Sequence, residues 1–123
     1  MHRSQLGGFI IDCQEGDLKS ASAFWSAALG LPTKAGYDPK YVGLQTAANG
    51  LAIEVQKVDH PSRVHLDIET DDIPAEVARL EKLGATVDKR MERWVVMRAP
   101  TGQRFCVVRV QRAGFPTGAT EWE

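Results

Sequence analysis

Apolar and polar side chains alternate along Gly8 to Gln14 and again along Val64 to Glu69, the two-residue period of a strand with one covered face. Phe9, Ile11 and Cys13 in the first segment, and Val64, Leu66 and Ile68 in the second, form apolar faces that should pack beneath helices. The opposite faces carry Ile10, Asp12 and Gln14, then His65, Asp67 and Glu69. Each segment gives way to a helical period. Leu18, Ala21, Phe24, Trp25, Ala28 and Leu29 predict a helix from Leu18 to Leu29, capped by Asp17, stopped by Gly30 and kept from resuming by Pro32. Val77, Leu80 and Leu83 predict a second helix from Ile73 to Leu83, with Pro74 in its first turn and Gly84 as its stop.

Strand-like runs follow each helix. In the first half they are Tyr41 to Ala47 and Leu51 to Val58, joined at the tight-turn pair Asn49-Gly50. In the second half they are Thr86 to Met91, Trp94 to Arg98 and Arg104 to Val110, the last two joined by Pro100-Thr101-Gly102. The stretch from Thr33 to Lys40 is weakly patterned and fits either a short strand or a loop. Gln111 to Glu123 is polar, as in a frayed tail, although Phe115 and Trp122 could dock it on a neighbour.

The two halves are copies of one plan. Phe9 to Leu18 lies over Val64 to Ile73 without a gap, which sets Ile10 on His65, Asp12 on Asp67 and Asp17 on Asp72. Asn49 to Val55 lies in the same way over Thr101 to Val107, which sets Glu54 on Cys106. The reading is an α+β fold of two βαβββ modules related by pseudo-twofold symmetry, at about 8–58 and 64–110, within a single domain at 1–112 followed by a tail at 113–123. Val58 to Arg63 is the connector, and a pocket between the modules would draw on equivalent positions of both.

Composition narrows the partners. Fifteen basic against sixteen acidic residues give a formal charge of -1, which leaves no electrostatic footprint for nucleic acid or an anionic membrane. A small-molecule ligand or a second copy of the chain remains. The N-terminal residues lack an apolar stretch of signal-peptide length and no apolar run could span a bilayer, so a cytoplasmic location is expected. Cys13 and Cys106 form no Cys-x-x-Cys pair, and reduced thiols agree with that location.

The phrase from Asp17 to Leu31, Val64-His65-Leu66 leading to Thr70-Asp71-Asp72-Ile73, Leu83-Gly84-Ala85, and Ala99 to Phe105 together resemble the vicinal oxygen chelate superfamily. That group contains glyoxalase I, bleomycin-resistance proteins and extradiol dioxygenases, and the chain is most similar to its small glyoxalase-like domain proteins. The resemblance implies mixed sheets curled around a cavity, commonly in a homodimer. It also implies metal-ligand slots on the first and last strand of each module, which here are Ile10, Glu54, His65 and Cys106. Ile10 cannot ligate, and Cys106 stands where a carboxylate is expected.

Glu54, His65 and Cys106 are therefore the expected ligands of a divalent metal, with zinc, nickel, cobalt or manganese as candidates and the thiolate favouring zinc. Glu54 and His65 are also the expected catalytic pair, able to act by proton transfer without a metal. Asp12, Asp67, Trp94 and Arg104 are the expected substrate contacts, with Met97 beside Trp94 in the wall. Two functions stay open. One is a metal-assisted lyase or isomerase acting on an oxygenated organic compound; the other is sequestration of a ligand without chemistry, as in bleomycin-resistance proteins.

Overall fold

The computed structural model describes residues 1–34 and 38–123. Within them the order is β1 (His2–Cys13), α1 (Leu18–Leu29), β2 (Thr33–Lys34), β3 (Tyr41–Leu44), β4 (Ala52–Lys57), β5 (Arg63–Thr70), α2 (Ile73–Lys82), β6 (Thr86–Arg90), β7 (Val95–Arg98), β8 (Arg104–Arg109) and β9 (Thr120–Trp122). This is an α+β fold of two βαβββ modules with one added strand. The undecided stretch after Pro32 begins as strand β2, and its residues 35–37 lie outside the described residues. No helix among the described residues is long and apolar enough to cross a membrane.

The chain forms two compact units, residues 9–64 and residues 1–8 with 65–123. Strand β1 starts six residues before the predicted Gly8, at His2, and thereby contributes to both.

In the unit of residues 9–64 the strands run β2-β3-β4-β1, with β3 antiparallel to both β2 and β4. Helix α1 starts where Asp17 accepts a hydrogen bond from the Ser20 N–H at 2.7 Å. It ends at Gly30, whose φ of 69° is open to glycine without strain. Ile11, Cys13, Leu44 and Val55 form the core, with Phe9, Leu18, Ala21, Trp25, Leu31 and Ile53 packed against them. Each fully buried aliphatic side chain there contributes about 1.5–3 kcal/mol. The alternation read from β1 is thus realised, with Phe9, Ile11 and Cys13 on the helix side. Phe24 departs from its predicted inward place: it is 61% exposed and makes an edge-on ring contact with Trp25, at 5.0 Å between ring centres.

In the other unit, β5 and β8 are parallel, while β8-β7 and β7-β6 are antiparallel. Helix α2 is capped by Asp72, which accepts from the Ala75 N–H at 3.0 Å. It packs on β8 and β6, over a core of Val77, Leu80, Ala85, Val95, Met97 and Val107. Met97 is fully buried there, which corrects its expected place in a pocket wall. Ile68 reaches this core as predicted, but Leu66 is half exposed because α2 leans toward β8 and β6 rather than over the start of β5.

The C-terminal tail is not frayed. β9 pairs antiparallel with the start of β1, setting His2 against Trp122 and Ser4 against Thr120. Trp122 donates its indole N–H to Ser4 Oγ at 2.8 Å, so it docks on its own chain. Before the tail, Glu69 is fully buried and accepts hydrogen bonds from Gln5 Nε2 (2.7 Å) and from the backbone N–H groups of Gln111 (2.8 Å) and Arg112 (3.0 Å). A Cβ at Gly7 would lie 3.0 Å from Glu69 Cβ, tighter than ordinary contact, so a larger residue there would press on this carboxylate.

Candidate metal centre

The face of the second unit turned away from α2 is set by strand alternation. Val107 is buried in the core, so its neighbour Cys106 points to the other side, and Val95 and Met97 place Val96 there as well. Register then aligns one row across the sheet: Asp67 opposite Cys106, Cys106 opposite Val96, and Val96 opposite Lys89. His65, two residues before Asp67, shares its face.

This row brings three metal-binding side chains together. One ligand atom each from His65, Asp67 and Cys106 lies within 4.8 Å of the other two. His65 Nε2 is 3.7 Å from Asp67 Oδ1, an ion-pair rather than a hydrogen-bond separation. Asp67 is 5% exposed and His65 and Cys106 are half-buried, so the group is approachable yet largely shielded from water.

The residues fit a zinc-like ion. Donors bound to a tetrahedral ion at ordinary zinc distances lie about 3.3–3.8 Å apart, so the observed cluster needs only small side-chain adjustments. Imidazole, carboxylate and thiolate are all zinc ligands, and three protein donors leave a fourth position for water or substrate.

The remaining predicted residues occupy varied surroundings. Glu54 is half-buried on β4 opposite Gly43, and faces away from the core that holds Val55. Ile10 is buried at 4% exposure. Asp12 is 2% exposed, and its Oδ2 lies 3.7 Å from Arg63 Nε. Trp94, just ahead of β7, is half-buried and offers its backbone carbonyl to Met91 N–H at 2.9 Å. Arg104 shares the face of Cys106, but its Nε donates to Asp88 Oδ2 at 3.0 Å, toward the β6 edge.

A buried charged network escaped the sequence reading. Glu76, on α2, is fully buried and accepts from Arg79 Nε (2.8 Å) and Nη2 (2.7 Å), and pairs with His2 Nε2 at 2.8 Å. Burial pushes its carboxyl up, but hydrogen bonds from Arg79, His2 and Ser4 outweigh burial and hold it below the usual carboxylate range. The same carboxylate raises Arg79 above its ordinary value against the opposing effect of burial, and the Arg79 guanidinium stacks 3.8 Å from the Trp122 ring centre. The only advance signal was a glutamate at i and an arginine at i+3 on a helix that needed an inward face. Cys13, by contrast, is a core thiol whose ionisation burial pushes up.

Two βαβββ modules, one of them carrying a donor cluster on its sheet, follow the plan of the vicinal oxygen chelate type. The chain belongs to the glyoxalase-like domain family, whose pattern matches residues 8–108. No protein of curated function matches the sequence. Among solved structures, a hypothetical protein from Bacillus halodurans C-125 is similar at a TM-score of 0.68 and 13% identity, over 90% of this chain and 97% of that one. Methylmalonyl-CoA epimerase, solved with methylmalonyl-CoA and NH4+, is similar at 0.58 and 16% identity, over 88% and 95% of the two chains. An extradiol ring-cleaving dioxygenase from B. fuscum is similar at 0.61 and 11% identity, over 95% of this chain but 34% of that one, so this chain spans about a third of the dioxygenase. At these identities the likeness carries the fold alone.

Proposed function

We propose that the protein is a metal-assisted lyase or isomerase of the glyoxalase-like type, acting on a small organic compound with vicinal oxygens. The observation that carries this reading is the convergence of His65, Asp67 and Cys106 within 4.8 Å of one another. A divalent ion held there would act as a Lewis acid on a carbonyl or enediolate oxygen of the substrate. The chain's own part is positioning and proton transfer. Without an ion, His65 beside the Asp67 carboxylate could instead take a proton next to a carbonyl, with Asp67 stabilising the imidazolium that results. Trp94, on the same face as Cys106 by alternation, offers an apolar wall for the substrate body. The family resemblance offers Glu54 as a further ligand slot, and its carboxylate could alternatively serve as a proton acceptor.

The second reading is sequestration of a ligand without chemistry, and one observation favours it: the slot of the first module equivalent to His65 is filled by the buried, inert Ile10. The reading extends to a cytoplasmic homodimer, supported by a sequence without a Cys-x-x-Cys pair and by the exposed apolar Leu6 and Leu66. Mass in solution tests the dimer.

Calorimetric titration of metal-stripped protein with zinc, nickel, cobalt and manganese is the primary test, followed by a screen of oxygenated carbonyl compounds with the loaded protein. One-to-one binding abolished by His65→Ala, with turnover in the screen, is the expected result. Absence of metal binding by the native protein would remove the metal-assisted reading and make sequestration the leading one.

A further inference from the structure

We infer that the metal centre is complete within the second module, with Asp67 as its carboxylate ligand alongside His65 and Cys106, and that Glu54 is not required to hold the ion. This rests on the metal-assisted reading above and specifies its ligands. It departs from the ligand slots that the resemblance implies, because Asp67 lies two residues along the first strand from the slot of that strand.

The backbone supplies the reason. His65 and Asp67 are next-but-one neighbours on β5, so their side chains emerge on one face. Parallel pairing places Cys106 directly opposite Asp67. One strand thus contributes two donors and its partner the third, and all three ligand atoms lie within 4.8 Å of one another. The first module holds Ile10, Asp12 and Glu54 at the equivalent positions. That set lacks a nitrogen or sulfur donor, and its Asp12 lies against the Arg63 guanidinium at 3.7 Å. A cation already beside a carboxylate opposes the arrival of a second, divalent one.

The donor chemistry also selects the ion. A thiolate, an imidazole and a single carboxylate suit zinc or cobalt, whereas manganese prefers oxygen donors.

The test is cobalt binding to the full-length protein, read by its visible and near-ultraviolet spectrum rather than by activity. Tetrahedral cobalt bands with a thiolate charge-transfer band are expected in the native protein. Asp67→Asn and Cys106→Ser should each weaken binding by at least about 100-fold, more than the loss of an outer-shell partner causes. Glu54→Gln should leave affinity within about 3-fold. X-ray absorption of the zinc-loaded native protein gives a check that no variant can confound: one sulfur at about 2.3 Å is expected.

The inference is overturned if Glu54→Gln weakens binding as much as Asp67→Asn, if Asp67→Asn leaves affinity unchanged, or if no sulfur is found in the zinc shell. In those outcomes a metal is still bound and the proposed function stands. Only a native protein that binds no cobalt removes both.

Discussion

The two modules share one plan, yet their equivalent positions hold opposite chemistry. Where the first places Ile10, Asp12 and Glu54, the second places His65, Asp67 and Cys106. Asp12 and Asp67 are almost equally buried acids on matching strands, but one lies beside Arg63 and the other beside an imidazole and a thiol. The helices diverge in the same way. Ala21, in the apolar core under α1, corresponds to Glu76 under α2, and the exposed Phe24 corresponds to Arg79. A duplicated backbone therefore fixes where side chains point, while local neighbours decide whether a slot serves packing, charge or chemistry.

The strongest way to break this comparison is at Glu76. Glu76→Ala leaves Arg79 and His2 facing a desolvated gap and should cost about 3–5 kcal/mol in chemical denaturation. Glu76→Met with Arg79→Leu, which gives α2 the apolar character of α1, should recover most of that loss, since well-packed apolar replacements of buried ion pairs are often neutral. A loss below about 1 kcal/mol for Glu76→Ala would show that the charged anchor matters no more than a surface pair.

Acidification sharpens the same contrast. The folded Glu76 carboxyl is held below its ordinary 4.5, so its contribution is fully present above that value and disappears as pH falls through the lower folded value. Denaturation midpoints followed into the acid range should therefore fall more steeply for the native protein than for Glu76→Gln. Parallel curves would contradict the assignment.

A smaller effect is expected at the tail. Trp122→Ala removes the stack on Arg79 and the hydrogen bond to Ser4, and should cost about 1–2 kcal/mol while leaving metal affinity unchanged. Arg63→Gln should be the mildest change, at most about 1 kcal/mol, because the guanidinium is 41% exposed. It should not alter cobalt affinity; a change there would mean that the first module contributes to the metal centre.

Much of this was legible along the chain. α1 runs from Leu18 to Leu29 as its spacing and caps required, and α2 ends one residue short of the predicted Leu83. The resemblance gave His65 and Cys106 as ligand slots together with Glu54, while the internal match singled out Asp67 only as a substrate contact. Its pairing with Cys106 depends on the parallel register of β5 and β8, and the two residues lie 39 positions apart in the chain. Nothing in the local sequence encodes that register.

Periodicity and capping are local, and so the sequence by itself determined most of the elements and the duplication, though not the outward turn of Phe24 and Leu66. Partner choice between distant side chains was decided by tertiary structure. That applies to Asp67 with Cys106, to Glu76 with His2, to Arg104 with Asp88, and to the tail strand that closes on β1. The physical reason is that a strand's own alternation specifies a face, whereas what stands across that face follows from how the whole chain buries its apolar surface and satisfies its buried charges.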